Sequence, residues 1–214
     1  MSHYNGTTIF DESRYGHWRT LVEQWQDAHQ NFAAITGDAA YWYTERSNVG
    51  MLAAAAWKLN LVALEEYQVE KCHSEPESKG EEAKWKGRCD LWIYGKRFNE
   101  IIEAKQNWVH LHSVKAEARA QKTLASAVRD ARSTAGQDKQ FGSGVSFLLP
   151  YAPVGCTNPR LLRSEVESLV KRLHTCSSGL IAWSFPHQSR GFKGAGEKNY
   201  IPGVIMLVAS ASDA

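Results

Sequence analysis

Two short apolar runs separated by a polar turn, at residues 88–106, constrain the fold of this chain more than any other stretch. The aromatic and β-branched residues on either side of Gly95 predict two antiparallel strands joined as a hairpin. Asp90 comes directly before the first run, and Glu103 and Lys105 come at the end of the second. A hairpin brings the start of its first strand beside the end of its second, so we expect two carboxylates and an ammonium in one small volume.

The side chains of Glu103 and Lys105 should share one face of their strand, because alternate residues of a strand point to opposite sides. Such a cluster contributes little to stability, since exposed ion pairs are worth roughly 0–1 kcal/mol and buried pairs often cost more than they return. It suits a hard cation better. Mg²⁺ takes oxygen ligands, typically one or two carboxylates with waters and phosphate oxygens, and a nearby lysine can orient or activate a water.

Asp90, a spacer of apolar strand and turn, and then Glu103-Ala104-Lys105 resemble the core motif of the PD-(D/E)xK phosphodiesterases, the restriction-endonuclease-like nucleases. The match is to a short pattern, and Cys89 stands where a proline would precede the aspartate. The resemblance implies that Asp90 and Glu103 bind the catalytic metal and that the Ala104 carbonyl is a third ligand. It further implies that Lys105 polarises the attacking water.

The same resemblance implies a fold and a function. The fold is α/β, with a restriction-endonuclease-like central mixed sheet flanked by helices. The function is hydrolysis of DNA by a metal-activated water, with Mg²⁺ as the cofactor and Mn²⁺ as its substitute. Double-strand cleavage by one-site nucleases commonly uses two protomers, so a homodimer is an option.

A further acid often comes from the first core helix of these nucleases, and the resemblance assigns that role to Glu45, near the start of a helix predicted over residues 43–59. A first-turn glutamate is also favoured by the helix dipole, by roughly 0.3–1 kcal/mol, so a purely structural role is equally open. Residues 61–70 fit both a helix and a strand. We predict a strand, because the resembled family has one there; in a helix, Glu65 or Glu66 would be the better candidate.

Basic residues gather at 105–139, directly after the proposed site, whereas residues 65–82 are rich in glutamate. A helix predicted over residues 112–132 would therefore be placed to follow phosphates, although a solvated helix face explains the same charges. Gln121 is followed four residues later by Ala125 rather than tyrosine, so the exonuclease branch of the family is not supported. The residues that we expect to bind substrate are Gln106, Arg119, Gln121 and Lys122.

The rest of the chain alternates between helical and strand patterns, which is typical of an α/β or α+β sheet flanked by helices. We expect further helices over 12–35 and 158–175, and polar loops over 74–87 and 186–199. We expect strands over 145–154, 179–185 and 204–210, and Pro150 should limit the strand over 145–154. We divide the chain into an N-terminal helical extension, residues 1–37, and a restriction-endonuclease-like domain, residues 38–214.

Hydrophobic residues make up 43% of the chain and charged residues 22%, as in an ordinary globular protein. The longest apolar runs are strand-sized, and the N-terminus lacks the pattern of a secretory signal, so we expect a cytoplasmic protein that does not enter a membrane. Eight tryptophans and eight tyrosines are a high aromatic content. Core filling explains most of them, and stacking on bases is the alternative for some.

Two other functions stay open. The same fold with an inactive site would bind nucleic acid or a protein partner without cleavage. If the charged triplet is a coincidence, the chain is a small-molecule enzyme or an assembly component, and a large separation of Asp90 from Glu103 would favour that interpretation. The sequence contains no phosphate-binding Gly-rich loop, nucleophile elbow or Rossmann fingerprint that points to another chemistry.

Overall fold

The structure, a computed structural model, describes residues 4–72, 84–96, 98–155, 162–177 and 179–212. Their helices and strands, in chain order, are β1 (Tyr4–Ile9), α1 (Glu12–Tyr15), α2 (Trp18–Thr36), α3 (Glu45–Lys58), β2 (Val62–Cys72), β3 (Lys84–Gly95), β4 (Phe98–His110), α4 (Ala116–Ala135), β5 (Gly142–Pro153), α5 (Leu162–Leu173), β6 (Leu180–Phe185), β7 (Asn199–Tyr200) and β8 (Val204–Ser210). A short 3-10 helix, Ala40–Trp42, precedes α3.

The strands in these ranges form one sheet in the order β1-β6-β8-β5-β4-β3-β2, with β7 paired to β5 beside this path. Strands β4 and β5 are parallel and are connected by α4, as parallel neighbours require a crossover. The other pairs are antiparallel. The predicted α/β class, with a mixed sheet flanked by helices, is confirmed at this level.

Each face of the sheet carries its own apolar core. One core packs α2 and α3 against one face, and the other packs α4 and α5 against the opposite face. Residues of the predicted N-terminal extension belong to the first core, since Trp18 and Trp25 of α2 are fully buried in it beside Ile102 of β4. Strand β1 also joins the sheet by pairing with β6. The division of the chain at residue 37 into two domains stays a prediction.

Most predicted elements are confirmed. Three boundaries and the unpredicted strand β1 need correction, and the loop predicted over 186–199 runs into the unpredicted strand β7 at Asn199. The helix predicted over 12–35 is two helices, α1 and α2, which separate at Gly16 and His17. Strand β1 was not predicted, because its sequence YNGTTI mixes a glycine and threonines with few apolar residues. Residues 84–87 of the predicted loop belong to β3, and residues 74–83 lie outside the described residues.

The fourth correction concerns β5, which begins at Gly142 inside a predicted glycine-rich turn and continues through Pro150 to Pro153. Its ladder with β8 ends at Leu148, so Pro150 lies where β5 has β4 beside it and has left β8. A missing N–H is tolerated at such a position. No helix in the described ranges combines the length and the apolar character needed to cross a bilayer.

Candidate active site

Strands β3 and β4 separate at the point where the predicted acids lie. The antiparallel ladder between them ends at the pair formed by Leu91 and Ile102. Beyond this pair β3 stays with β2, and β4 stays with β5 as far as His110. From Glu103 onward, no strand of the described residues lies along the β3 side of β4. Backbone N–H groups on that edge therefore need other acceptors.

Two carboxylates act as these acceptors. Asp90 Oδ2 accepts a hydrogen bond of 2.7 Å from the backbone N–H of Ala104. Glu45 Oε2 accepts one of 2.7 Å from the backbone N–H of Gln106, two residues further along the same edge. The separation of the two strands thus fixes both acids against the backbone of β4.

Cys89, the residue before Asp90, also contacts this edge. Its thiol donates to the carbonyl oxygens of Leu91 at 3.4 Å and Ile102 at 3.5 Å. Burial raises the pKa of the Cys89 thiol to about 11. The residue is therefore a buried thiol that closes the end of the ladder and not a nucleophile.

The start of α3 places Glu45. Thr44 caps the helix by accepting a hydrogen bond from the backbone N–H of Ser47 at 3.3 Å, so Glu45 lies in the first turn, against β4. Burial raises the pKa of the Glu45 carboxyl, while the charge of Lys105 acts in the opposite direction and Asp90 adds to the increase. Glu45, Asp90 and Lys105 are therefore close enough to influence one another.

Glu103 points to the opposite face of the sheet from Ala104, toward α4. The residue is 2% exposed. Its Oε1 accepts a hydrogen bond of 2.7 Å from the ammonium of Lys71 on β2 and another from the hydroxyl of Thr134 on α4. Burial raises the pKa of Glu103, Lys71 and Thr134 oppose this, and Asp90 adds to it. Asp90 is therefore electrostatically coupled to Glu103 as well as to Glu45.

Lys105 also faces α4, where its Nζ lies 2.9 Å from Asp130 Oδ2. Burial alone would lower the pKa of the ammonium. The hydrogen bond and charge of Asp130, together with Asp90 and Glu45, outweigh burial, and the pKa of Lys105 is raised. Lys105 therefore remains protonated at neutral pH.

A polar stripe on α4 receives the side chains of β4. Thr123, Asp130 and Thr134 lie at helical spacing on the side that faces β4. Asn107 donates to the Thr123 hydroxyl at 3.0 Å, one step beyond the contact of Lys105 with Asp130. The stripe keeps the alternating polar residues of β4 bonded within an otherwise apolar interface.

The strand separation gathers a few oxygen atoms of the kind that bind magnesium in proteins. Asp90 and Glu103 each use one carboxylate oxygen in the hydrogen bonds described, which leaves one oxygen on each for a further ligand. The carbonyl of Ala104 points to the same edge of β4 as its N–H, and hence toward Asp90. In the described ranges no group of three or more His, Cys, Asp and Glu side chains is arranged to hold a metal. Mg²⁺ commonly takes only one or two carboxylates, with waters and phosphate oxygens completing its shell.

A cavity of about 180 Å³ opens beside the two edge-bound acids, Asp90 and Glu45. Its walls also include Val49 and the two residues that were the alternatives to Glu45, namely Glu65 and Glu66. The strand predicted over 61–70 is confirmed as 62–72. Glu45, and neither of these two alternatives, accepts the hydrogen bond from the backbone of β4.

The backbone of β2 is strained next to this cavity. Glu66 has a φ of 53°, in the left-handed region, and it lies opposite Asp90, where the β2–β3 ladder is interrupted. Its carboxylate is bound by Arg46 at 2.9 Å and Arg88 at 3.3 Å. A non-glycine residue in this conformation costs of order 1–3 kcal/mol and occurs preferentially at functional sites.

The residues predicted to bind substrate fall into two groups. Gln106 lies at the site, where its backbone is bound to Glu45 and its side-chain oxygen accepts from Asn48 at 2.8 Å. The other three are exposed on the first half of α4. Arg119 is one turn before Thr123 on the side toward β4, whereas Gln121 is on the side away from it. Gln121 therefore does not lie with the acids. The three exposed residues on α4 are Arg119, Gln121 and Lys122.

Sequence reasoning missed four residues that contact the predicted ones. Asn48 is fully buried in an alanine-rich helix, and a polar side chain on that apolar face was the signal for it. Asp130 and Thr134 interrupt the apolar face of α4 at a spacing of four residues, which was a similar signal. Lys71 gave no signal, because only the folding of β2 brings it to Glu103.

A larger cavity, of about 380 Å³, lies at the other end of the hairpin and does not include these acids. It surrounds Glu100, whose carboxylate is bound by His17 at 2.9 Å and by the Ser143 hydroxyl at 2.5 Å. This carboxylate already uses both oxygens, and Asp90, Glu103 and Lys105 lie elsewhere. The site formed where β3 and β4 separate is therefore the stronger candidate.

No protein-family model, no curated protein and no solved structure matches this chain.

Proposed function

We propose that the protein is a Mg²⁺-dependent nuclease that hydrolyses DNA phosphodiester bonds. The observation that carries the proposal is the convergence of Asp90, Glu103, Lys105 and Glu45 where β3 leaves β4. Four residues separated by up to 60 positions in the chain are coupled there through hydrogen bonds to the backbone of β4 and through their charges. Ion pairs at a protein surface contribute little to stability, so stability alone does not explain this arrangement.

The metal would be held by Asp90, Glu103 and the carbonyl of Ala104, all of which offer hard oxygens. Bound Mg²⁺ supplies Lewis-acid activation of a phosphate oxygen and lowers the pKa of a coordinated water. The remaining shell would be water and substrate, as is usual for this ion.

The residues of the chain itself divide the other tasks between them. Lys105 has a raised pKa and is already bound to Asp130, so it contributes a fixed positive charge rather than acting as a base. It stabilises negative charge that develops on the phosphate. Glu45 is the better proton acceptor, because burial raises its pKa toward the range in which a carboxylate takes a proton from water.

The test is cleavage of supercoiled and linear DNA by purified protein with Mg²⁺ or Mn²⁺. We expect nicking or degradation by the wild type and none by Asp90→Ala. The exposed Asp27→Ala on α2 is the matched control and should cleave as the wild type does. Equal activity of Asp90→Ala and wild type would remove the proposal. Sedimentation of the protein with and without DNA would show whether two protomers act together.

A second candidate keeps the fold and the DNA contact but not the reaction. It is favoured by one observation: Glu103 is already bound by Lys71, and Lys105 by Asp130, so both are neutralised without a metal. An inactive nuclease-fold protein of this kind would bind DNA in a salt-dependent manner. Isothermal titration with Mn²⁺ separates the two candidates, because the inactive form would show no binding that depends on Asp90.

A further inference from the structure

An aromatic cleft of about 430 Å³ lies next to the candidate active site. We define it by its lining residues, which are Trp42, Trp108, Tyr151, Gly194, Asn199 and Ile201. Trp108 follows Gln106 by two residues on β4, so the two side chains share a face of the sheet and stand roughly 7 Å apart. The cleft thus lies two residues along β4 from the backbone N–H that Glu45 binds.

The positions of the rings follow from the same contacts that build the site. Asn48 donates to Gln106 Oε1 at 2.8 Å and to the carbonyl of Tyr41 at 2.9 Å, which ties the 3-10 helix that carries Trp42 to β4. Tyr151 of β5 meets Trp108 edge-on, with ring centroids 6.3 Å apart. The three rings of the cleft are each partly exposed, in contrast to the fully buried tryptophans of α2.

The lining offers stacking surface, a few polar groups and nearby positive charge. Asn199 contributes an amide, and the exposed Lys198 beside it contributes an ammonium. Proteins usually bind unpaired bases with partly exposed aromatic rings that lie beside a groove for the sugar–phosphate backbone. Each base presents a flat π face on which such a ring can stack. Paired bases inside a duplex stack on each other and cannot enter such a cleft.

We propose that the aromatic cleft binds unpaired nucleobases of a single strand whose backbone passes Glu45 and Asp90. This inference rests on the proposed nuclease function and names its substrate class: single-stranded nucleic acid, or the single-stranded part of an overhang or flap. A nucleic acid is favoured over a peptide or a small apolar molecule, because the cleft lies on the same face of β4 as Gln106, whose backbone N–H is bound by Glu45 of the proposed phosphodiester site.

The test is equilibrium binding, measured by fluorescence anisotropy in EDTA so that no strand is cut. The probes are a labelled oligothymidylate of about 12 nucleotides and a blunt duplex of similar charge. We expect the single strand to bind more tightly than the duplex, and Trp108→Ala and Tyr151→Ala each to weaken it at least about fivefold. Trp57→Ala, which removes an exposed tryptophan of α3 outside the cleft, is the matched control and should bind as the wild type.

Circular dichroism of each variant checks its fold, and Tyr151→Phe retains the ring if Tyr151→Ala does not fold. Tyr151→Phe should retain binding, since stacking needs the ring and not the hydroxyl. Duplex binding as tight as single-strand binding, or unchanged single-strand affinity in folded Trp108→Ala and Tyr151→Ala, would overturn the inference. The two proposals fail separately. Single-strand binding through the cleft without any cleavage would refute the nuclease function and support the binding role of the cleft. Cleavage of duplex DNA at the same rate by wild type, Trp108→Ala and Tyr151→Ala would support the nuclease function and refute the binding role of the cleft.

Discussion

Replacing Asp90 by alanine and by asparagine should separate its structural role from its chemical role. The Asp90 carboxylate accepts the backbone N–H of Ala104 at the end of the β3–β4 ladder. Alanine removes the acceptor and leaves this N–H unpaired. Asparagine keeps an oxygen at the same place and removes only the charge, so the two variants differ in stability but not in the chemistry they lack.

The magnitude follows from that one hydrogen bond. Hydrogen bonds to charged groups contribute about 1.5–3 kcal/mol, and neutral ones about 0.5–1.5 kcal/mol. Asp90→Ala should therefore lower the free energy of unfolding by about 1.5–3 kcal/mol, which for a chain of this size lowers Tm by about 3–12 °C. Asp90→Asn should cost about 1 kcal/mol, the difference between a charged and a neutral acceptor.

Thermal unfolding in EDTA measures the first effect, and DNA cleavage with Mg²⁺ or Mn²⁺ measures the second. We expect Asp90→Asn to unfold close to the wild type and still to cleave no DNA, since a neutral amide is a poor ligand for the ion. An asparagine variant that is fully active would refute the role of Asp90 as a metal ligand. An alanine variant as stable as the wild type would refute the account of the strand edge.

Two further predictions concern buried charge. Lys71→Met should destabilise the protein by about 3–5 kcal/mol in urea unfolding, because it leaves the carboxylate of Glu103 buried without its cation; Lys84→Met, in the exposed pair with Glu70, is the control and should cost under about 1 kcal/mol. Equal losses in the two variants would contradict this reasoning. Burial lowers the pKa of His29 from 6.5 to about 3, so its contribution to stability is complete above pH 6.5 and is lost as the pH falls toward 3. His29→Phe should reduce the slope of unfolding free energy against pH in that window by up to about 1.4 kcal/mol per pH unit. Parallel wild-type and variant curves would contradict the lowered pKa of His29.

The hairpin could be predicted from the sequence because both of its determinants are local. The apolar runs beside Gly95 fix the two strands, and alternation along a strand puts Glu103 and Lys105 on one face. The choice of a strand for residues 61–70 was correct, although local periodicity did not decide it. It came from the order of elements in the resembled family, which decided between a helix and a strand where the residues themselves fitted both.

The partners of the site could not be predicted, because each comes from a distant part of the chain. Lys71 reaches Glu103 only through the pairing of β2 with β3, and Asp130 reaches Lys105 only through the packing of α4 on the sheet. Sequence periodicity shows that a helix has a polar position on its buried side. It does not show which strand residue that position will meet, since this depends on the register between helix and sheet.

The charges of the site give a reason why these partners matter for the proposed chemistry. Four carboxylates, those of Glu45, Asp90, Glu103 and Asp130, are coupled to two ammonium groups, those of Lys71 and Lys105. Fully ionised, the cluster carries two excess negative charges, and burial makes such an excess costly. Protonation relieves it in part, as the raised pKa values of two of the carboxylates indicate. One divalent cation would relieve it completely, so protons and the metal should compete for the same oxygens.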